Sequence, residues 1–398
     1  MPGPMPLDGV VVADLSRVLA GPLAASTLAD LGADVIKVER AASGDDTRQW
    51  GPPWTGNSSS YFESANRGKR SIALDFGDPA DLDLARRLVS RADVVIENFL
   101  PGTLDRFGLD YESVRALNPA VVYASITGFG SQAGARDTGY DFLVQAVGGL
   151  MDITGPPGSP SKVGVAIVDV LSAKDATVAI LAALHERARS GLGQHVEVAL
   201  LSSLLAALVN QGSGYLATGH SPRSLGNRHP SIAPYEALDT GEGVLALAVG
   251  NDAQFARLCE TVGDPDLAGD ARFATNAQRV AHRDELAVAL EARLRADTAA
   301  SWAARLMDAG VPAGTIGSVA DGFVLAERLG LDPRVPVDGG IDQIRSPLRF
   351  ERTPIGRYVR PPRLDEHGDE IRRWLAAGPD PIGHAGGQSE GETRGNHG

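Results

Sequence analysis

The sequence predicts an α/β protein built on a parallel sheet, with a second domain further along the chain. Three observations carry this. Short, continuous apolar runs recur between residues 10 and 126, as in strands buried on both faces. A glycine-stopped helical segment follows the first of them and a longer helical segment a later one, the alternation of a sheet flanked by helices. The length of 398 residues is ample for two to three domains with sizeable cores.

The elements follow in order. Val10-Val-Val-Ala-Asp-Leu15 reads as a buried strand, and the turn at Gly21-Pro22 leads into a helix over Leu23–Leu31 that Gly32 ends. Val35–Val38, Ser71–Phe76, Asp93–Asn98 and Val121–Ile126 read as further strands, with a helix over Asp81–Arg91. The apolar run Lys162-Val-Gly-Val-Ala-Ile-Val-Asp169 reads as a short buried strand or turn. An alanine-rich helix over Val170–Arg189 follows it. Ala199–Leu216 reads as helix and Gly219–Pro230 as a turn-rich connection. A second domain is expected over about 231–325, with a strand at Val244–Val249 and helices at Asp252–Val262, Arg283–Arg295 and Ala299–Ala309. Residues 345–362 are basic and β-like. The glycine-rich, polar tail from Gly378 to Gly398 reads as disordered.

Composition excludes several classes. A net charge of −13 argues against nucleic-acid and membrane partners, and any anionic ligand needs a local basic cluster. The single cysteine, Cys259, rules out an intrachain disulfide framework and a thiolate metal site. The eight histidines show no metal-ligand spacing, so no metal is expected. The N-terminus has no basic and apolar leader, and no apolar run reaches spanning length. A soluble, cytoplasmic protein is therefore expected. G-x-G-x-x-G after the first strand, the P-loop pattern and G-x-S-x-G are all missing, which disfavours nicotinamide, P-loop and α/β-hydrolase chemistry.

Ligands of parallel sheets bind outside the carboxyl ends of the strands. Those ends carry Arg17, Arg40 and Asn98-Phe-Leu100, with Arg106 in a turn nearby. Asn66-Arg-Gly-Lys-Arg70 is the densest basic cluster. Together these cations suit a multi-phosphate ligand through charge-assisted hydrogen bonds, although each alone also reads as solvated surface charge. Asp169 has two readings: a helix N-cap, or a reactive carboxylate stabilised by the helix end. Tyr140-Asp141 reads either as a wall of the site near Asp169 or as a helix N-terminus.

These motifs together resemble the class III CoA-transferase family, which includes formyl-CoA and carnitine CoA-transferases and the α-methylacyl-CoA racemases. The carriers are Leu7-Asp-Gly-Val10, Asp14-Leu-Ser-Arg-Val-Leu-Ala-Gly-Pro22 and Leu28-Ala-Asp-Leu-Gly-Ala-Asp-Val-Ile-Lys-Val-Glu39. Asn66–Leu74, Glu97-Asn-Phe-Leu-Pro-Gly102, Ser125–Gly130, Gly139-Tyr-Asp-Phe142 and Gly164-Val-Ala-Ile-Val-Asp169 complete the set, in order and in register from residue 7 to about 375.

The resemblance implies that Asp169 is the catalytic carboxylate, attacking an acyl-CoA thioester and then carrying CoA as an aspartyl thioester. CoA or acyl-CoA is then a substrate, and no cofactor stays bound. By the same resemblance the CoA-binding residues are Leu19, Ala20, Arg40, Asn66, Lys69, Asn98, Phe99, Leu100 and Arg106. Arg17 stands ready to share the load, because many relatives carry arginine where this chain has Leu100. Tyr140 stands where the racemases place a histidine, and tyrosine is a poor base at neutral pH, so a transferase is favoured over a racemase or a silent acyl-CoA binder. Leu225–Tyr235 looks like the corresponding segment of members that use succinyl-CoA with a dicarboxylic acid. There Arg228 and His229 either pair with a distal carboxylate or belong to a linker. The implied architecture is a Rossmann-like large domain (1–218 and 331–377), a small α+β domain (219–330) and an interlocked homodimer.

Overall fold

A computed structural model of the chain describes residues 4–56 and 58–377. The N-terminal part runs β1 (Val11–Asp14), α1 (Ala20–Asp30), β2 (Asp34–Arg40), β3 (Trp54–Thr55), β4 (Ser58–Ser59), α2 (Ser60–Ala65), β5 (Lys69–Leu74), α3 (Pro79–Arg91), β6 (Val94–Glu97), α4 (Tyr111–Leu117) and β7 (Val122–Thr127). Next come α5 (Asp141–Val147), α6 (Leu150–Ile153), α7 (Ile167–Ser190), β8 (His195–Ala199), α8 (Leu200–Ala207) and α9 (Val209–Thr218). The second half holds β9 (Tyr235–Asp239), β10 (Val244–Ala248), α10 (Asp252–Thr261), α11 (Asn276–Ala281), α12 (Arg283–Leu294), α13 (Ala299–Asp308), β11 (Ala313–Thr315) and α14 (Val319–Arg328). Two short strands, β12 (Arg334–Val335) and β13 (Gln343–Ile344), precede α15 (Gly368–Ala376).

Among the described residues, six strands form one sheet in the order β5-β2-β1-β6-β7-β8, every neighbouring pair parallel. This is the doubly wound order, in which the chain steps one way from β1 and the other way from β6. The strands form where the text is apolar throughout: Val94, Val95 and Ile96 have no exposed surface. Helix starts are written locally as well. Asp78 accepts from the amides of Ala80 (2.8 Å) and Asp81 (3.1 Å), and Pro79 opens α3.

Each face of the sheet carries its own core. α1, α7 and α8 cover one face through residues such as Leu28, Ile180 and Leu204, while α3 and α15 cover the other through Leu88, Ile371 and Leu375. A separate core lies under the antiparallel sheet β11-β10-β9, built from Leu245, Phe255, Leu290 and Trp302.

Three expectations need correction. The run Lys162–Val168 contains no strand: Gly164 and Val165 are exposed and α7 begins at Ile167. The segment beginning at His195 opens with β8, the edge strand, and the helix after it breaks at Leu208, with Val209 at φ +43°. Residues 345–362 hold no strand, because Pro347, Pro354, Pro361 and Pro362 remove ladder donors. The expected disordered tail, 378–398, lies outside the described residues.

Candidate active site

The crevice opens where the topology reverses, between the ends of β1 and β6. The loop after β1 carries Arg17, Val18 and Leu19, and the loop after β6 carries Asn98, Phe99 and Leu100. One side chain ties them: Asn98 Oδ1 accepts the Arg17 amide at 2.8 Å and Asn98 Nδ2 donates to the Arg17 carbonyl at 2.7 Å. Val18 sits at φ +71°, a costly conformation for a β-branched residue. Its amide is held by the carboxylate of Asp45, at 3.3 Å to the nearer oxygen. Asp45 is in turn paired with the buried Lys37 at 2.9 Å. α1 then starts at Ala20 with no side-chain cap, leaving its first amides for an anion.

A cavity of about 240 Å³ lies here, lined by Arg17–Ala20, Asn98–Pro101, Thr127, Gly128, Gly139, Tyr140 and Asp169. Its far wall depends on glycine. A Cβ on Gly139 would come within 2.2 Å of the Gly128 Cα, so the loop that returns to Tyr140 lies directly on the end of β7.

Asp169 is the third residue of α7, not its cap. The cap position is Ala166, which offers no side-chain acceptor. Asp141 fills that role from α5, its Oδ1 accepting the amides of Val168 (2.7 Å) and Asp169 (3.4 Å). Burial, and then the negative charge of Asp141, push the Asp169 carboxyl up to about 7. Tyr61 is also close. Burial, followed by the charges of Asp169 and Asp141, pushes its phenol up to about 12. A carboxylate of this kind is basic enough to be a nucleophile, yet ionised in useful amounts at neutral pH.

A second cavity of about 740 Å³ adjoins the first and shares Arg17 and Phe99 with it. Arg17, Arg40 and Arg106 line it together with Val38, Phe76 and Phe107. Arg17 lies over the Phe99 ring at 4.7 Å and Arg106 over the Phe107 ring at 4.6 Å. Arg40 and Arg17 also share Asp46, the latter at 3.8 Å. The cavities meet at Arg17 and Phe99; the larger is lined by three arginines and by Phe76, Phe99 and Phe107, alongside Glu39 and Asp75, and the smaller carries Asp169.

The structure thus brings Arg17, Leu19, Ala20, Arg40, Asn98, Phe99, Leu100, Arg106, Tyr140 and Asp169 to these two adjoining cavities. It does not bring the others. The Asn66–Arg70 cluster is engaged elsewhere. Lys69, buried, donates to Asp14 (2.8 Å), to the Pro22 carbonyl (2.8 Å) and to Asn66 Oδ1 (2.9 Å). Asn66 has no exposed surface, and Arg67 and Arg70 pair with Asp30 and Asp34. Lys69 supports the start of α1, Arg67 pairs with its last residue and Arg70 with the first residue of β2, and none of them lines either cavity. Asp141 is buried and turned toward α7, so it is a wall residue only through its backbone neighbour Tyr140. Arg228 pairs with Glu236 (3.0 Å) and Asp284 (2.6 Å), and the His229 ring tilts against Tyr235 at 5.3 Å. Neither residue lines either cavity.

Sequence reasoning missed Val18, Asp45, Asp46 and Tyr61. The acidic doublet Asp45-Asp46 beside a predicted basic site was a usable signal. Tyr61 carried none, since its approach to Asp169 is made by the fold.

Residues 7–368 match CoA-transferase family III. The succinate–glutarate CoA-transferase of Agrobacterium fabrum is 47% identical over 384 residues, covering 92% of this chain and 94% of that protein. Human succinyl-CoA:glutarate CoA-transferase is 39% identical over 373 residues, covering 92% of this chain and 85% of that protein. The crystal structure of a CAIB/BAIF family protein from Brucella suis is similar, with 46% identity and a TM-score of 0.84, covering 94% of this chain and 100% of that chain.

Proposed function

The chain belongs to CoA-transferase family III, and from that premise we propose that it moves CoA from succinyl-CoA to a dicarboxylic acid through a thioester on Asp169. One observation carries the reading: a basic, partly buried Asp169 lines a cavity that adjoins a second one lined by Arg17, Arg40 and Arg106. The similar proteins named for succinate–glutarate and succinyl-CoA:glutarate transfer support the donor and the acceptor class.

In this reading the arginines take the phosphates of CoA and the apolar rings flank its base. The Asp169 carboxylate attacks the thioester carbonyl. The C–S bond breaks, CoA leaves as thiolate and a mixed anhydride remains. The thiolate then attacks the aspartyl carbonyl, releasing succinate and forming the aspartyl-CoA thioester. The acceptor carboxylate attacks that thioester, and the returning thiolate takes the new acyl group and frees Asp169. The uncapped amides at the start of α1 are suitably placed to hold an oxyanion. No resident cofactor is required.

The large domain (1–218 and 331–377), the small domain (219–330), the interlocked homodimer and a cytoplasmic location belong to the same proposal. The separate core around Leu245 and Trp302 supports the domain division. Large exposed apolar residues support the dimer: Leu216 and Val209 on α9, and Val319, Val324 and Leu325 on α14. Among the described residues, no helix is long and apolar enough to cross a membrane.

The test is a panel of acids incubated with the enzyme and succinyl-CoA, with the CoA esters separated by chromatography. Glutaryl-CoA, or another dicarboxylic monothioester, should form in equal amount to the succinate released. Exchange of the acyl α-proton with solvent, without transfer to any acid, would overturn the reading in favour of a racemase.

A further inference from the structure

We infer that Asp141, held by Gln145, is a positioning residue for Asp169: it fixes the first turn of α7 and sets a second carboxylate against the reacting one. The inference rests on Asp169 being the nucleophile.

The geometry is specific. α7 is 24 residues long, and its cap position, Ala166, supplies no acceptor. The amides of Val168 and Asp169 are taken instead by Asp141 Oδ1, at 2.7 and 3.4 Å. The other oxygen, Oδ2, accepts from Gln145 Nε2 at 2.6 Å. Gln145 has no exposed surface, and its Oε1 accepts the Val163 amide at 2.9 Å. Asp141 and Gln145 lie one turn apart on α5. They therefore grip the segment Val163–Asp169 at both ends, and Asp141 is bound through both of its oxygens.

A neutral cap would hold the same helix. A serine in place of Ala166 would satisfy an amide from within the segment, without the cost of burying an anion. The carboxylate does two further things. It occupies the helix amides that would otherwise stabilise the Asp169 anion, and its charge opposes that anion. Both effects keep the nucleophile basic. The other titratable or charged groups around Asp169 are Tyr61 on α2 and, lining the cavity, Arg17, Asp46, Asp137 and Tyr140. Among the described residues, Asp141 bonds to the backbone of Asp169 and none of these other side chains does.

The experiment compares wild type, Asp141→Asn, Asp141→Ala and the double variant Asp141→Ala with Ala166→Ser. The Asn variant keeps an oxygen for the Val168 amide but loses the charge. The double variant restores a cap within the segment, also without charge. Each protein is labelled at Asp169 with a carbodiimide and an amine across pH 5–9, without substrate, and the label is mapped by peptide mass spectrometry. Thermal unfolding and steady-state CoA transfer are measured in parallel.

The labelling midpoint should fall by about one pH unit in Asp141→Asn and in the double variant, since removing a like charge favours ionisation. The double variant should regain the melting temperature lost by Asp141→Ala, while its kcat stays about tenfold low and KM is unchanged. An unshifted midpoint in a folded charge-free variant, or full return of kcat when Ala166→Ser is added, reduces Asp141 to a helix cap and overturns the inference. If wild type transfers no CoA, the proposed function falls, but the labelling midpoints still decide the role of Asp141.

Discussion

Asp141 accepts the backbone amide of Asp169 at 3.4 Å, so the proposed nucleophile is capped by another acid from a different helix. Burial, and then that second charge, raise the Asp169 carboxyl to about 7. Only the ionised form is a nucleophile. kcat/KM should rise with pH through about 7 and level above it. Initial rates from pH 5 to 9 check this. A profile flat down to pH 5 would mean that Asp169 titrates as an ordinary carboxylate.

The same shift has a consequence for stability. The folded carboxyl holds its proton to about 7, whereas the unfolded chain releases it near the ordinary value of 3.8. The folded state therefore binds more protons between these values, and stability falls as pH rises across that window and is constant above it. Asp169→Asn removes the titration. It should be more stable than wild type at pH 8, by at most about 4 kcal/mol for a shift of this size. The difference should vanish near pH 4. Denaturant melts of both proteins at the two pH values test it.

Arg106 lies over Phe107 in the cavity distant from Asp169, where it meets no reacting atom. Arg106→Met should raise the KM for succinyl-CoA about tenfold, equivalent to about 1.4 kcal/mol of lost binding, with kcat retained. A fall in kcat at unchanged KM would place Arg106 in the chemistry instead.

Lys69 and Asp14 form a fully buried pair at 2.8 Å. Lys69→Met removes the ion-pair partner of Asp14, leaving it the Ser16 hydrogen bonds and the charge of Lys37, and should destabilise the fold by about 3 kcal/mol. Any folded fraction should keep a near-normal KM for the acyl-CoA, because Lys69 faces neither cavity. Urea unfolding with parallel kinetics separates this from a binding role, in which KM would rise while stability held.

The sheet was legible because β1, β2, β6 and β7 are apolar runs without competing signals. β8 was not, because His195-Val-Glu-Val-Ala199 alternates on an edge and leads directly into a helix. The run before Asp169 reads as a short buried strand or turn from its composition, and it is an exposed bend at Gly164-Val165. The position of Asp169 was readable from the run and the helix after it. Its cap was not, since Asp141 arrives from 28 residues earlier. The partners of the basic cluster Asn66–Arg70 are hidden in the sequence for a related reason. Charge is visible in a sequence, but the partners Asp14, Asp30 and Asp34 are distant in the chain and meet the cluster only through the parallel pairing of β1, β2 and β5.

In the proposed reaction Asp169 carries CoA. This is tested most directly by mass spectrometry of the protein mixed with succinyl-CoA and quenched with borohydride or hydroxylamine, using wild type and Asp169→Ala. The account predicts a reduced or hydroxamate-bearing residue mapping to Asp169 in wild type and none in the variant. Full transferase activity in Asp169→Ala, or turnover in wild type with no trapped species at Asp169, would contradict it.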